Sequence, residues 1–215
     1  MSWIYSSGAL TQPQMENNAT IAYNLIGGKN VNPTTIYAIL SNMQNESSIN
    51  PTRREQGGEG YGLIQWTPQS VLINNAAALG YSDYNNGDTQ CIVAIEECKS
   101  NSAVNSWYST EAFISPYYNS GATPDMVGIT GDQFLSNAMG WSADKLAILY
   151  MAARLRPSYD PDTNHAAARA SNALDWQDFF GGVPPDTGKP IPSWAANKWV
   201  QYGAISETIR KRFYM

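Results

Sequence analysis

AILSNMQNESSINP at residues 38–51 and GYGLIQWTP at residues 60–68 decide how this chain is read. Upstream of the first stretch, Asn32-Pro33 has the chemistry of a helix start, with Asn32 as N-cap and Pro33 at the first helical position. Ile36, Ile39, Leu40 and Met43 then recur at the i, i+3, i+4, i+7 spacing of one helix face. Glu46 continues that stripe, three residues after Met43 and just before the helix must end at Ser47-Ser48-Ile49-Asn50-Pro51. A carboxylate on a core-facing stripe is unusual, because removing its charge from water costs free energy. Two influences favour its protonated form: desolvation, and the partial negative charge of a helix C-terminus. A carboxyl that keeps its proton near neutral pH suits a general acid. A Glu at a frayed helix end pointing into water fits the same pattern, and periodicity alone leaves both readings open.

The second stretch has a different grammar. Residues 57–62 hold four glycines, followed by the short apolar run Leu63-Ile64 and then Gln65-Trp66-Thr67-Pro68. This predicts an irregular loop and a small β-hairpin rather than a helix. Gly60 and Gly62 would let backbone approach a ligand closely. Gln65 can donate and accept hydrogen bonds at once, whether to a ligand or within the hairpin. Trp66 and Tyr61 are flat surfaces for a sugar ring, or core packing.

Outward from these stretches the pattern is helical. Residues 15–26 predict a first helix stopped by Gly27-Gly28, and further helices are expected at 68–79, 88–99, 142–155 and 163–179. Arg156-Pro157 ends the fourth of these. From residue 181, GGVPPDTGKPIPSW reads as a linker, followed by an amphipathic end bearing Trp194, Trp199, Tyr202 and the basic run Arg210-Lys211-Arg212. The expected fold is mainly α (α+β), with one domain over 1–180, a small β-hairpin after its second helix, and an appendage over 181–215.

Composition narrows the chemistry. A net charge of −5 argues against nucleic acid, and against adhesion to an anionic surface by charge alone. No apolar run reaches the length of a membrane span, so no membrane partner is expected. The N-terminal MSWIYSSGALTQPQ lacks a charged segment followed by a long apolar one, so no secretory signal is expected either, and a target outside the cell would require another carrier. Cys91 and Cys98, two helical turns apart, would be separated by roughly 10 Å, beyond the reach of a disulfide; buried free thiols are expected. One histidine, His165, cannot build a multi-histidine zinc site. No metal or cofactor is expected.

With these residues in hand, a resemblance is apparent. Asn42-Met43, Glu46-Ser47, Ile49-Asn50-Pro51, Gly60, Gly62-Leu63 and Gln65-Trp66-Thr67 follow the pattern of the phage tail lysozyme family. Thr130, Phe134, Leu146-Ala147 and Arg156-Pro157 fall where that family has a later helix and a Tyr-Glu-Arg-Pro signature, although Arg154-Leu155 here replace the Tyr-Glu. The likeness spans roughly residues 10–180. It implies a lysozyme-like fold, with Glu46 matching the catalytic acid and the Gly-Leu-x-Gln element, also similar to one in goose-type lysozymes and lytic transglycosylases, lining a sugar cleft. The implied substrate is the β-1,4-linked glycan strand of peptidoglycan, and the implied setting is a phage tail with other tail proteins as neighbours. A second carboxyl about 5–9.5 Å from the acid would complete a hydrolase. Glu59, beside the glycines, is preferred over Glu55, which follows Arg53-Arg54. Gln65, Gly62, Trp66 and Tyr61 are the expected substrate-binding residues. Lytic transglycosylase and inactive glycan-binding tail module remain alternatives, with a cytoplasmically released endolysin behind them.

Overall fold

The computed structural model of the chain describes residues 1–157 and 165–181. Its helices are α1 (Gln12–Gly27), α2 (Pro33–Ser47), α3 (Gln69–Ala78), α4 (Gly87–Glu96), α5 (Glu111–Ile114), α6 (Gly131–Ser136), α7 (Ala143–Tyr150) and α8 (Ala166–Phe180). Two 3-10 segments, Ser115–Ser120 and Pro124–Met126, follow α5, and a π turn over Met151–Leu155 extends α7. Every helix expected from periodicity is present, with ends shifted by a few residues. Tyr159 and the appendage from residue 182 onward, including Trp194, Trp199, Tyr202 and Arg210-Lys211-Arg212, lie outside the described residues.

α2 is the axis of the molecule. Its start forms as the sequence dictates: Pro33 occupies the first turn and the Asn32 side chain accepts from the Thr34 amide at 2.9 Å. Such a cap contributes about 1 kcal/mol. The helix packs against α1, α7 and α8, and is buried on all sides from Thr35 to Met43. The apolar stripe is therefore one face of a helix enclosed all round, as expected of a core helix in a multi-layer bundle. Tyr23 of α1 stacks on Phe180 at the end of α8, with ring centroids 4.0 Å apart, closing the bundle around α2.

The chain leaves α2 through an unusual turn. Ser48 caps the helix with φ 56°, and Ile49 follows at φ 54°, fully buried. A left-handed β-branched residue is strained and persists only where its surroundings over-determine it. They do so here. Asn18 donates to the Ile49 carbonyl at 2.9 Å, and Asn50 donates to the carbonyls of Ser6 and Gly8 at 2.7 and 2.8 Å. The Ser47 hydroxyl bonds the carbonyls of both Met43 and Leu63 at 3.0 Å, stapling the helix end to the glycine-rich segment.

The expected β-hairpin does not form. Among the described residues there is no strand; the glycine-rich segment holds only isolated antiparallel bridges, Arg54 with Tyr61 and Tyr61 with Trp66. The physical reason is that side chains take the hydrogen bonds a ladder would need. Gly60 N–H donates to the Glu55 carboxylate at 3.1 Å, Leu63 N–H donates to Gln90 Oε1 at 2.8 Å, and positive φ at Gly57, Gly62 and Gln65 turns the backbone away from an extended course.

Candidate functional site

A groove of about 810 Å³ runs between the end of α2, the glycine-rich segment and the end of the π turn. Glu46, Glu55, Gln65, Trp66, Arg154 and Arg156 are among its lining residues. A separate, more apolar cavity near α7 and α8, about 550 Å³, is lined by none of the residues singled out from the sequence.

Glu46 sits where the fully buried helix reaches the groove. Its side chain is 18% exposed, and its Oε1 accepts from Arg169 Nη2 at 2.7 Å. Arg169 projects from α8 and is itself only 3% exposed. Its Nη1 donates to Asn42 Oδ1 at 2.8 Å, while the Asn42 amide donates to the carbonyls of Ala38 and Ala147. Asn42 and Glu46, one turn apart on α2, thus present two oxygens to one guanidinium. The dry, slightly negative surroundings expected for Glu46 are corrected here: a buried cation, Arg169, lies against the carboxyl. Sequence reading missed Arg169. The signal was available, because Ala166, Arg169, Ala173 and Trp176 are the buried face of α8, and a charge on such a stripe is the anomaly that drew attention to Glu46.

A second ion pair lies deeper. Glu97, fully buried after α4, accepts from Arg154 Nε at 2.9 Å and is also bonded by Arg154 Nη2. The same carboxylate accepts from Trp66 Nε1 at 2.9 Å and Asn75 Nδ2 at 2.7 Å. Burial pushes the Arg154 guanidinium down, but the Glu97 charge, the neighbouring Tyr150 and the Glu97 hydrogen bonds together hold it above its ordinary value. Arg154 is thus not an idle replacement for the Tyr of the expected signature. It ties the π turn to α4 and to the glycine-rich segment through Trp66.

The other predicted residues separate into two groups. Gln65 lines the groove with φ 52°, its amide nitrogen donating to the carbonyls of Arg53 and Gly62 at 3.1 and 2.9 Å. Trp66 borders the groove but is 3% exposed and bound to Glu97, so its ring is mainly core. Tyr61 and Gly62 do not line the groove. Tyr61 is buried, donates to Asn85 at 2.6 Å and carries the Arg54 guanidinium over its ring. At Gly62, with φ 82°, a Cβ would meet Gln90 Oε1 at 2.5 Å, so the open face of this glycine is filled by Gln90 rather than by a ligand. Glu59 is exposed and outside the groove lining, whereas Glu55 is within it. Glu55 owes its position to Gly58, where a Cβ would lie 2.1 Å from Glu55 Oε2. Trp107 and Tyr150 are core residues, stacked about Phe134 and Tyr150 itself fully buried. Cys91 and Cys98 are free and buried, as expected.

A helical core whose central helix delivers a half-buried carboxyl to a polar groove, opposite a glutamine-bearing loop, is the arrangement of a lysozyme-type enzyme. The model of the family described as phage tail lysozyme matches residues 17–180, from within α1 to the end of α8. The chain belongs to the phage tail lysozyme family, and its activity is of the peptidoglycan-hydrolysing, glycosidase type that this family name denotes. Among the described residues, no helix is long and apolar enough to cross a membrane.

Proposed function

We propose that this chain cleaves the β-1,4 bond between N-acetylmuramoyl and N-acetylglucosaminyl residues of peptidoglycan, with Glu46 as the proton donor to the leaving oxygen. The observation that carries the reading is the placement of Glu46: a carboxyl at the exit of an enclosed helix, opening on the one groove that also takes in Gln65. Its two oxygens have different environments. Oε1 is occupied by Arg169, which leaves Oε2 for the proton. A glycan filling the groove would exclude water from the space in front of the carboxyl.

Glu55 is the better partner carboxyl. It lines the groove and accepts from the Gly60 amide, while Glu59, exposed like Glu55, is not among the lining residues. Gln65, held by two backbone carbonyls through its nitrogen, offers Oε1 to an N-acetyl N–H or to a water. The setting proposed is the virion tail, where the enzyme opens a local hole in the host wall during infection.

The test is clearing of purified sacculi by wild type against Glu46→Gln, followed by mass spectrometry of the released muropeptides. Reducing ends from wild type, and a loss of about 100-fold or more in the variant, are expected of a general acid. Equal activity of the two proteins would overturn the role of Glu46. Ends of the 1,6-anhydro type would reassign the chain as a lytic transglycosylase, and clearing by neither would reassign it as a binding module.

A further inference from the structure

We propose that the Glu46 groove carries an oxyanion subsite, formed by Arg156 with Arg53 and Arg54, that takes the carboxylates of the peptide stems hanging from muramoyl residues. The proposal rests on the reading of this groove as the glycan cleft. Four arginines, Arg53, Arg54, Arg154 and Arg156, line it against two carboxyls, Glu46 and Glu55. Glu46 is answered by Arg169 and Arg154 by Glu97. Among the described residues, Arg53, Arg54 and Arg156 have no carboxylate within ion-pair distance. A chain with net charge −5 has therefore lined one groove with three arginines that have no ion-pair partner among the described residues, set against a single such carboxyl, Glu55.

Arg156 is the centre of this cluster. Its guanidinium lies 4.4 Å from the ring centroid of Tyr108 and 5.7 Å from that of Phe113, so aromatic faces hold the side chain without consuming its hydrogen bonds. Its Nε is buried and has no hydrogen-bond partner. Burial, and then the neighbouring Arg154 charge, push Arg156 below its ordinary value, which means the site gains from an incoming anion. The half-buried Arg53 and the exposed Arg54 line the same groove, Arg54 lying 4.9 Å from the Tyr61 ring centroid and donating to Gln69 Oε1 at 3.2 Å. A guanidinium fork matches a carboxylate in geometry as well as charge. A polymer of N-acetylglucosamine alone has no such group, whereas each substituted muramoyl residue does. The subsite would therefore select wall glycan over neutral glycan and set the register of the strand over Glu46.

The phosphodiesters of wall polymers share this chemistry, so the test uses three preparations: native sacculi, sacculi with carboxylates amidated, and sacculi freed of phosphopolymers by hydrofluoric acid. Two readouts are taken with the full chain: muropeptide release by wild type, and cosedimentation of the Glu46→Gln protein, which needs no cleavage. Amidation is expected to reduce both by about tenfold or more, the scale of a lost charge-assisted hydrogen bond, and hydrofluoric acid to leave both unchanged. Arg156→Gln should lose as much on native sacculi and nothing further on amidated ones. Arg53→Gln and Arg54→Gln, on the groove rim, repeat the comparison should Arg156→Gln fail to fold. Loss after hydrofluoric acid and not after amidation would overturn the stem-peptide assignment in favour of phosphate. Unchanged release and binding in every arm would overturn the subsite. A chain that binds native sacculi in this charge-dependent way yet releases nothing would leave the subsite standing and remove the hydrolase reading instead.

Discussion

Arg169 Nη2 lies 2.7 Å from Glu46 Oε1, across 123 residues of sequence. The pair joins α8 to the end of α2, so the carboxyl that opens on the groove is also a strut of the core. The same guanidinium reaches Asn42, which makes a three-residue unit of Asn42, Glu46 and Arg169.

This unit separates chemistry from stability at one position. Glu46→Gln keeps an oxygen for Arg169 but removes its counter-charge; because the Glu46 side chain is 18% exposed, water screens part of that loss and the cost should be about 1–2 kcal/mol. Glu46→Ala removes that oxygen and leaves a buried guanidinium short of a partner, and should cost about 2–3 kcal/mol more. Denaturant unfolding of the two variants checks this. Equal stability of both would show that the ion pair contributes nothing to the fold.

Removing the cation gives the complementary result. In Arg169→Gln, an amide can still bond Asn42 or Glu46 but supplies no charge. Activity on sacculi should fall, because the Glu46 carboxyl has lost the bidentate unit that fixes it at the groove. Wild-type activity in a variant that unfolds more easily would mean that Arg169 acts on folding alone.

The Glu97–Arg154 pair is fully buried and makes a sharper stability prediction. Either Glu97→Gln or Arg154→Met alone leaves one charge uncompensated in the core, at about 3–5 kcal/mol. A double replacement, Glu97→Leu with Arg154→Met, should recover much of that loss. Because Trp66 donates to Glu97, indole fluorescence should report the single variants directly. Simple additivity of the two losses would argue against a coupled pair.

The carboxyl partner can be assigned by combining a backbone-side change with two carboxyl replacements. Gly58→Ala would drive a methyl into Glu55 Oε2 and displace that side chain, while Gly58 itself has no left-handed backbone to strain. Activity should fall in Gly58→Ala and in Glu55→Gln, with little change in either midpoint, and persist in Glu59→Gln. Loss in Glu59→Gln alone would restore the choice made from sequence.

The thiols predict a pH dependence. Burial pushes both Cys91 and Cys98 well above the ordinary thiol range. In the unfolded chain they would ionise near pH 8.5. The folded state thus keeps protons that the unfolded state releases, and stability should be constant below about pH 8 and decline as pH rises beyond it. Alkylation at pH 8 should label neither cysteine in the native protein and both after denaturation. Ready labelling of the native protein would contradict the burial.

Much of the fold was written locally. The Asn32-Pro33 start, the α2 stripe and the Arg156-Pro157 stop are short-range signals, and each held. The glycine-rich segment was legible as irregular but not as strandless, because the side chains that take its hydrogen bonds, Gln90 above all, come from another helix. Glu46 could be found because a carboxyl on an apolar stripe is anomalous within a single helix. That Glu55 rather than Glu59 lines the groove was beyond local reading, since it depends on how Glu55 packs over the Cβ-free Gly58.

The sequence by itself determined the helices, the glycine-rich break and the position of Glu46, since capping, periodicity and backbone freedom act over a few residues. Only the tertiary structure decided what surrounds that carboxyl. Arg169 arrives from 123 residues away, and Arg156 is set beside the groove by a π turn and two aromatic rings. Electrostatic fields act through space, and a chain read one residue after another carries no record of which charges folding will bring together.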